Sequence, residues 1–285
     1  MRMVIGVDWS EEAFAAVQQA TTLYLPQEVT FAHGVDLGIF QHPIVAEVAN
    51  LQGYDEFRKA RYEAGRQLME HTATMIPPEV PSAKKACEFS KPATLVLETA
   101  AKAAADIIAV GGGGRGRMTE LLLGSVSHRI ALHATCTTLI VKGSSKQIRH
   151  VLVALEERDD AARMRDWLRR YPFRNPADLT LLRVVQPIPS ADPFNLLPID
   201  TWEHLAMQYA NSLLDDTVAA LSSTFAVVNT KIATGNPVEE IAKLATQYDL
   251  LVIGSHSRNG IERFLLGSVS HALLHHAPGS VLVVR

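Results

Sequence analysis

The sequence predicts an α/β protein built as two tandem doubly wound domains, each a parallel sheet with helices on both faces. Three observations predict it. The seven residues at 122–128, Leu-Leu-Gly-Ser-Val-Ser-His, recur identically at 265–271, an offset of 143 residues (122 to 265). The same offset aligns 106–111 with 249–254 and 138–141 with 281–284. A period that long marks a duplicated domain, because solenoid repeats run to tens of residues. Within each copy, short β-branched runs alternate with longer amphipathic segments, and the strands are apolar almost throughout. That is the signature of a parallel sheet covered on both sides.

In the first copy the strands fall near 3–7, 29–35, 83–89, 106–110 and 137–142, and the helices near 11–25, 54–75, 93–104 and 119–133. The second helix shows Phe57, Ala60, Ala64, Leu68 and Met75 at roughly helical spacing, with charge on the other side. In the second copy strands are predicted at 151–155, 179–185, 226–232, 250–254 and 281–285, with helices at 159–171, 202–221, 237–247 and 262–276. Pro92 and Pro237 stand where helices begin, a position that tolerates the missing N–H. The predicted domains are 1–145 and 146–285.

Composition narrows the function classes. A formal net charge of −3 gives no basic field for nucleic acid. No apolar stretch reaches the ~20 residues needed to span a bilayer, and the N-terminus lacks a leader pattern. Cys87 and Cys136 have no CxxC or CxxH spacing and read as small buried residues of a reduced cytoplasmic protein.

Ligands on such sheets bind outside the carboxyl ends of the strands, and the glycines fall there. The strand at 106–110 runs into Gly111, Gly112, Gly113 and Gly114, then Arg115, Gly116 and Arg117. Glycines have no Cβ to fend off a ligand, can take positive φ, and present backbone N–H groups. Gly124-Ser125 then interrupts an apolar helical pattern, at a cost of ~1 kcal/mol relative to alanine. If the last helix begins there, its free N–H groups and the Ser125 hydroxyl form an anion site. At the end of the first strand stand Asp8, able to accept from a base amino group or a ribose, and Ser10, which reads equally as a helix N-cap.

The start Val7-Asp8-x-Ser10, the spacing Gly111-x₂-Gly114-x₉-Gly124-Ser125 and the apolar last strand together resemble the ATP-binding branch of the universal stress protein family. The resemblance spans essentially the whole chain as two modules. It implies a five-stranded sheet ordered 3-2-1-4-5 in each, with the last strands of the two modules pairing as a dimer-like interface within one chain. A further homodimer stays open. It also implies ATP, accompanied by Mg²⁺ or Mn²⁺, with adenine near Asp8 and Gly34. The phosphates would lie on Gly111, Gly114, Arg115, Gly116, Gly124, Ser125 and Val126. Family members generally bind nucleotide with little or no hydrolysis. In the second module Gly254, Arg258, Gly267 and Ser268 keep the pattern, but Ser257 replaces the second glycine, Glu156 replaces Asp8 and Arg158 replaces Ser10. The first module is therefore expected to be the competent site, and the second a weakened site or a structural partner.

Other motifs lack the frame their chemistry needs. Ser125 and Ser127 lack the G-x-S-x-G frame of a hydrolase elbow. His271, His275 and His276, with His128 and His133, suggest a metal, and His271 and His275 share a helix face, but no acidic or cysteine third ligand stands at a supporting spacing, so they read as surface or interface histidines. No Walker lysine stands in the turn, and the glycines follow the fourth strand, not the first as in a dinucleotide fingerprint. The loops at 36–52 and 186–197 read either as plain crossovers or as covers for a ligand mouth. Three functions remain: a nucleotide-binding stress or signalling protein without turnover, a slow ATPase or other nucleotide-dependent enzyme, and a non-binding scaffold.

Overall fold

A computed structural model describes residues 1–38, 53–80, 83–113, 123–187, 199–255 and 266–285. The chain divides into two compact units, Met1–Ser145 and Lys146–Arg285. In the first unit the elements are β1 (Arg2–Gly6), α1 (Glu11–Leu23), β2 (Glu28–Gly34), α2 (Tyr54–Ala73), β3 (Ala83–Glu88), α3 (Pro92–Lys102), β4 (Ile107–Gly111), α4 (Ser125–His133) and β5 (Thr137–Val141). The second has β6 (His150–Leu155), α5 (Arg158–Arg170), β7 (Asp178–Val185), α6 (Ile199–Leu221), β8 (Val228–Thr234), α7 (Pro237–Ala245), β9 (Leu250–Gly254), α8 (Ser268–His276) and β10 (Ser280–Val284).

Within the first unit the strands lie in the order β3-β2-β1-β4-β5, every neighbour parallel. The second unit repeats this as β8-β7-β6-β9-β10. The apolar strands are the core: Met3, Val4, Ile5, Ile107, Ile108 and Ala109 are buried, as are Val151, Leu152, Val153, Leu250, Leu251 and Val252. β1 and β4 are also stitched at their amino ends, where the Arg2 N–H donates to the Asp106 carboxylate at 2.6 Å. Asp249 repeats the stitch, accepting from the N–H groups of Arg149 at 2.9 Å and His150 at 3.0 Å. Partial burial pushes the Asp249 pKa up, but these two bonds and Lys146 outweigh it and hold the carboxyl below its ordinary value.

Helix boundaries follow local chemistry. Ser10 caps α1, its hydroxyl oxygen accepting from the Ala13 N–H at 3.2 Å. Pro92 opens α3. Asn236 caps α7 by accepting from Val238 N–H at 2.9 Å, just before Pro237. Three expectations need correction. The last helix of each module starts later than its periodicity suggests, at Ser125 and Ser268, because Leu123, Gly124, Leu266 and Gly267 are not helical. The buried face of α2 is Gly65, Leu68, Met69 and Thr72, whereas Phe57 is exposed. Gly65 decides this face, since a Cβ there would sit 2.7 Å from the Cys87 sulfur and 2.9 Å from the His33 ring. β8 begins two residues after the predicted start, because its residues, none of them buried, leave no continuous apolar run to pin it.

Among the described residues, Gly111 is the tightest backbone junction at the carboxyl edge of the first unit's sheet. A Cβ on it would lie 2.6 Å from the carbonyl carbon of Glu12 and 2.9 Å from the nitrogen of Ala13. Gly111→Ala must push α1 off β4, and the expected loss of stability is about 1–3 kcal/mol in urea unfolding. An unchanged midpoint would show that α1 is not held against Gly111.

Candidate functional site

The carboxyl ends of β1 and β4 and the amino end of α4 converge in the first unit. β4 ends at Gly111, and the chain turns through Gly112, whose N–H donates to the Val141 carbonyl at 2.6 Å. It returns at Gly124, whose N–H donates to the Gly112 carbonyl at 2.8 Å. The hydroxyl of Ser127, in the first turn of α4, donates to the Gly111 carbonyl at 2.5 Å. These three bonds fix the amino end of α4 beside the end of β4. No side chain caps that end, and Gly124 at the cap position has φ −62° and ψ 149°. The N–H groups of Ser125, Val126 and Ser127 therefore point out of the helix without intrahelical acceptors, and the helix dipole adds a partial positive charge. Oxygen anions suit such a position.

None of Gly111, Gly112 and Gly113 has positive φ. Close approach is what selects glycine here: Gly111 lies against α1, and a Cβ on Gly112 would be 2.8 Å from Lys142 Cγ. Gly113 faces open space apart from a Glu12 carboxylate oxygen 3.7 Å from where its Cβ would stand. Burial pulls the Lys142 ammonium down to about 8. This basic side chain beside the turn was missed in the sequence because it follows β5, remote from the glycines.

Asp8 sits half-buried at the end of β1. One carboxylate oxygen accepts from the Ser10 N–H at 2.9 Å and from the Ser10 hydroxyl in a close contact. Ser10 is thus a cap and a brace for Asp8 at once. The second carboxylate oxygen of Asp8 has no partner among the described residues. Beside it, the His33 Nδ1–H donates to the Val7 carbonyl at 2.8 Å. Gly34 closes the end of β2, where a Cβ would be 2.7 Å from both Pro92 Cα and the Ser90 carbonyl oxygen, so packing against α3 requires glycine. Gly124, Ser125 and Val126 join Gly111 and Asp8 at this edge. Gly114, Arg115, Gly116 and, in the second unit, Arg258 lie outside the described residues.

The second unit repeats the frame and changes its lining. Ser255 N–H donates to the Val284 carbonyl at 3.1 Å, Gly267 N–H to the Ser255 carbonyl at 3.0 Å, and the Ser270 hydroxyl to the Gly254 carbonyl at 2.7 Å. No side chain caps α8 either. The contact on Gly254 differs. Where Gly111 meets helix backbone, Gly254 meets the Asp160 carboxyl, which a Cβ would overlap. Asp160 is buried and bonded to Arg163 at 3.2 Å. Burial pushes its pKa up to about 6 against the pull of Arg163, with Glu156 and Glu157 adding to the rise. Arg158 does not replace the Asp8–Ser10 brace; it reaches α6, donating to Asp216 at 2.8 Å and Ser212 at 3.0 Å. In sequence Asp160 reads as an ordinary first-turn acid, and only the contact with β9 reveals its place.

A cavity of about 1010 Å³ opens at this edge of the second unit. Its floor is the ends of β6, β7 and β9 with the amino end of α8, and one wall is α6.

A raised carboxyl pKa makes the ionised form the costly one in the folded state. Asp160 therefore weakens the fold above pH 6, and this penalty is relieved as pH falls toward 4. Relative to Asp160→Asn, the unfolding free energy of the parent chain is expected to rise by about 1.4 kcal/mol between pH 7.5 and pH 5. Denaturant titrations of both proteins check it. A difference that is flat with pH contradicts the burial of this carboxyl.

Comparison with known proteins gives one family for both halves. The sequence profile of the Universal stress protein family matches residues 1–142 and again 147–285. A universal stress protein of Mycobacterium tuberculosis is 24% identical over 311 residues, covering 99% of this chain and 96% of that protein. One of Mycolicibacterium smegmatis is 25% identical over 297 residues, again 99% and 96%. Among solved structures, a universal stress protein from Archaeoglobus fulgidus shares the fold at a TM-score of 0.62 and 17% identity, covering 100% of this chain and 96% of that one.

Proposed function

Because the chain belongs to the universal stress protein family over both of its halves, we propose that it is a cytoplasmic stress-response protein that binds ATP in its first module. Occupancy, not turnover, is the signal: bound nucleotide changes conformation or partner affinity. The observation that carries this reading is the uncapped amino end of α4, tied to β4 through Ser127 and Gly124. Three N–H groups without intrahelical acceptors stand at this helix end, with Ser125 as its first residue, ready for phosphate oxygens without further ordering. Asp8 supports it, since Ser10 holds one carboxylate oxygen and the other would be left to accept from the ribose or the base amino group. Gly114, Arg115 and Gly116 would complete the phosphate turn, and a divalent ion would travel with the phosphates.

The second module supports nucleotide less well. A buried carboxyl stands at Gly254, where a phosphate chain would run, and like charge in a low-dielectric site is strongly disfavoured. Gly254, Gly267 and Ser268 keep the backbone frame of an anion site, but Asp160 opposes its use.

The test is heat release of small molecules from freshly isolated protein with mass spectrometry, followed by titration calorimetry with Mg·ATP. One ATP per chain is expected. Ser125→Asp suits the first turn of a helix yet repels phosphate, so affinity should fall by at least about tenfold (1.4 kcal/mol) with an unchanged melting temperature. Ser268→Asp should leave binding intact. No ATP uptake at millimolar nucleotide, or equal affinity in Ser125→Asp, overturns the reading.

A further inference from the structure

The first turn of α1 is held from two sides by groups of the proposed nucleotide site. On one side stands Asp8. The Ser10 hydroxyl donates to its carboxylate and at the same time accepts from the Ala13 N–H at 3.2 Å. The Phe14 N–H donates to the Ser10 carbonyl at 3.3 Å. A hydroxyl that donates to a carboxylate becomes the stronger acceptor, because hydrogen bonds in a chain polarise one another. The cap of α1 therefore depends on where the Asp8 carboxylate stands. On the other side is Gly111, whose backbone meets Glu12 and Ala13 with no room for a side chain. Its carbonyl accepts from Ser127 at the open end of α4.

A ring cluster joins this turn to α2. Trp9 stacks on His71, with ring centres 6.0 Å apart and planes 19° from parallel. Phe14 stands edge-on to both, 6.2 Å from Trp9 and 5.4 Å from His71. Trp9 precedes the cap residue and Phe14 is bonded to it, so a shift of the cap is a shift of the rings. Trp9 is 49% exposed, and His71 is exposed as well. Among the described residues the second module has no such link. Glu157 stands at the cap of α5 without a side-chain cap bond, and Arg158, in the place of Ser10, is bonded to Asp216 and Ser212 of α6.

We propose that α1 is the output element of the first module. Nucleotide that engages Asp8 and the end of α4 fixes the Asp8–Ser10 pair and tightens the first turn of α1. Through Trp9 and Phe14 it steadies α2 at His71. Ser10 is a positioning residue here and touches no ligand itself. Occupancy becomes a change of order on an exposed pair of helices, with no bond made or broken in the nucleotide. The proposal rests on the nucleotide reading and adds the place where its signal emerges.

The test is amide hydrogen exchange of the whole chain, resolved to single residues by mass spectrometry, with calorimetry under the same conditions. Saturating Mg·ATP is expected to slow exchange at Ala13 and Phe14 by about threefold or more, and to slow it at His71, alongside protection of Ser125. Ala161, which donates to the Glu157 carbonyl at the start of α5, should be unchanged. In Ser10→Ala the nucleotide-dependent slowing at Ala13 and Phe14 should be lost at concentrations that still protect Ser125. Ser10→Thr keeps the hydroxyl and should restore it. A merely structural cap would instead speed exchange in Ser10→Ala by the same factor with and without nucleotide, which overturns the proposal. Trp9→Ala should remove the change at His71 and keep that at Ala13. The parent chain decides without any variant: ATP that protects Ser125 but leaves Ala13 and Phe14 unchanged overturns the proposal while the nucleotide reading stands. Absence of both binding heat and protection overturns the two together.

Discussion

In each module the first turn of the first helix is pressed against the glycine that ends the fourth strand, and the carboxyl edge of the sheet depends on that contact. In the first module Glu12 and Ala13 come so near Gly111 that no side chain fits. The Gly111 carbonyl then accepts from Ser127, and the next residue, Gly112, accepts from Gly124. The end of β1, the turn after β4 and the amino end of α4 are thereby fixed at one point by backbone contacts and the Ser127 hydroxyl. Because these groups are ordered by the fold, a ligand meeting them does not have to order them.

The duplication keeps this frame and varies what fills it. Ser270 repeats Ser127, Gly267 repeats Gly124, and Asp249 repeats the strand stitch of Asp106. The side chains that would touch a ligand have diverged. One module braces an aspartate with a serine and leaves helix N–H groups open. The other places a buried carboxyl at the same junction and opens a cavity with an aromatic wall. Packing holds the first set of residues alike in both modules, and the second set differs between them.

The same division explains what was legible in the sequence. Strands buried on both faces are continuous apolar runs, so β1, β6 and β9 stand within a residue or so of where those runs place them. Asp8, Gly111, Gly124 and Ser125 were likewise legible, being adjacent to strand ends in a recurring spacing. The start of α4 was legible only as one of two readings, a periodic segment from 119 or a helix opening at Gly124-Ser125, because the boundary is set by a bond to Gly112 across the loop. The burial of Asp160 was not legible, since it depends on how α5 lies against β9. The inward face of α2 was hidden for a similar reason. Gly65, which admits Cys87 and His33, fixes it more firmly than the aromatic Phe57 does. Contacts between segments distant in sequence carry the information that periodicity lacks.

The central claim is that the open helix end of the first module, and not that of the second, receives the phosphates. Amide hydrogen exchange read by mass spectrometry, with and without Mg·ATP, tests it at the groups concerned. The account predicts that nucleotide slows exchange at Ser125, Val126 and Ser127 while Ser268, Val269 and Ser270 exchange as before. Protection confined to the second set, or spread equally over both, contradicts it.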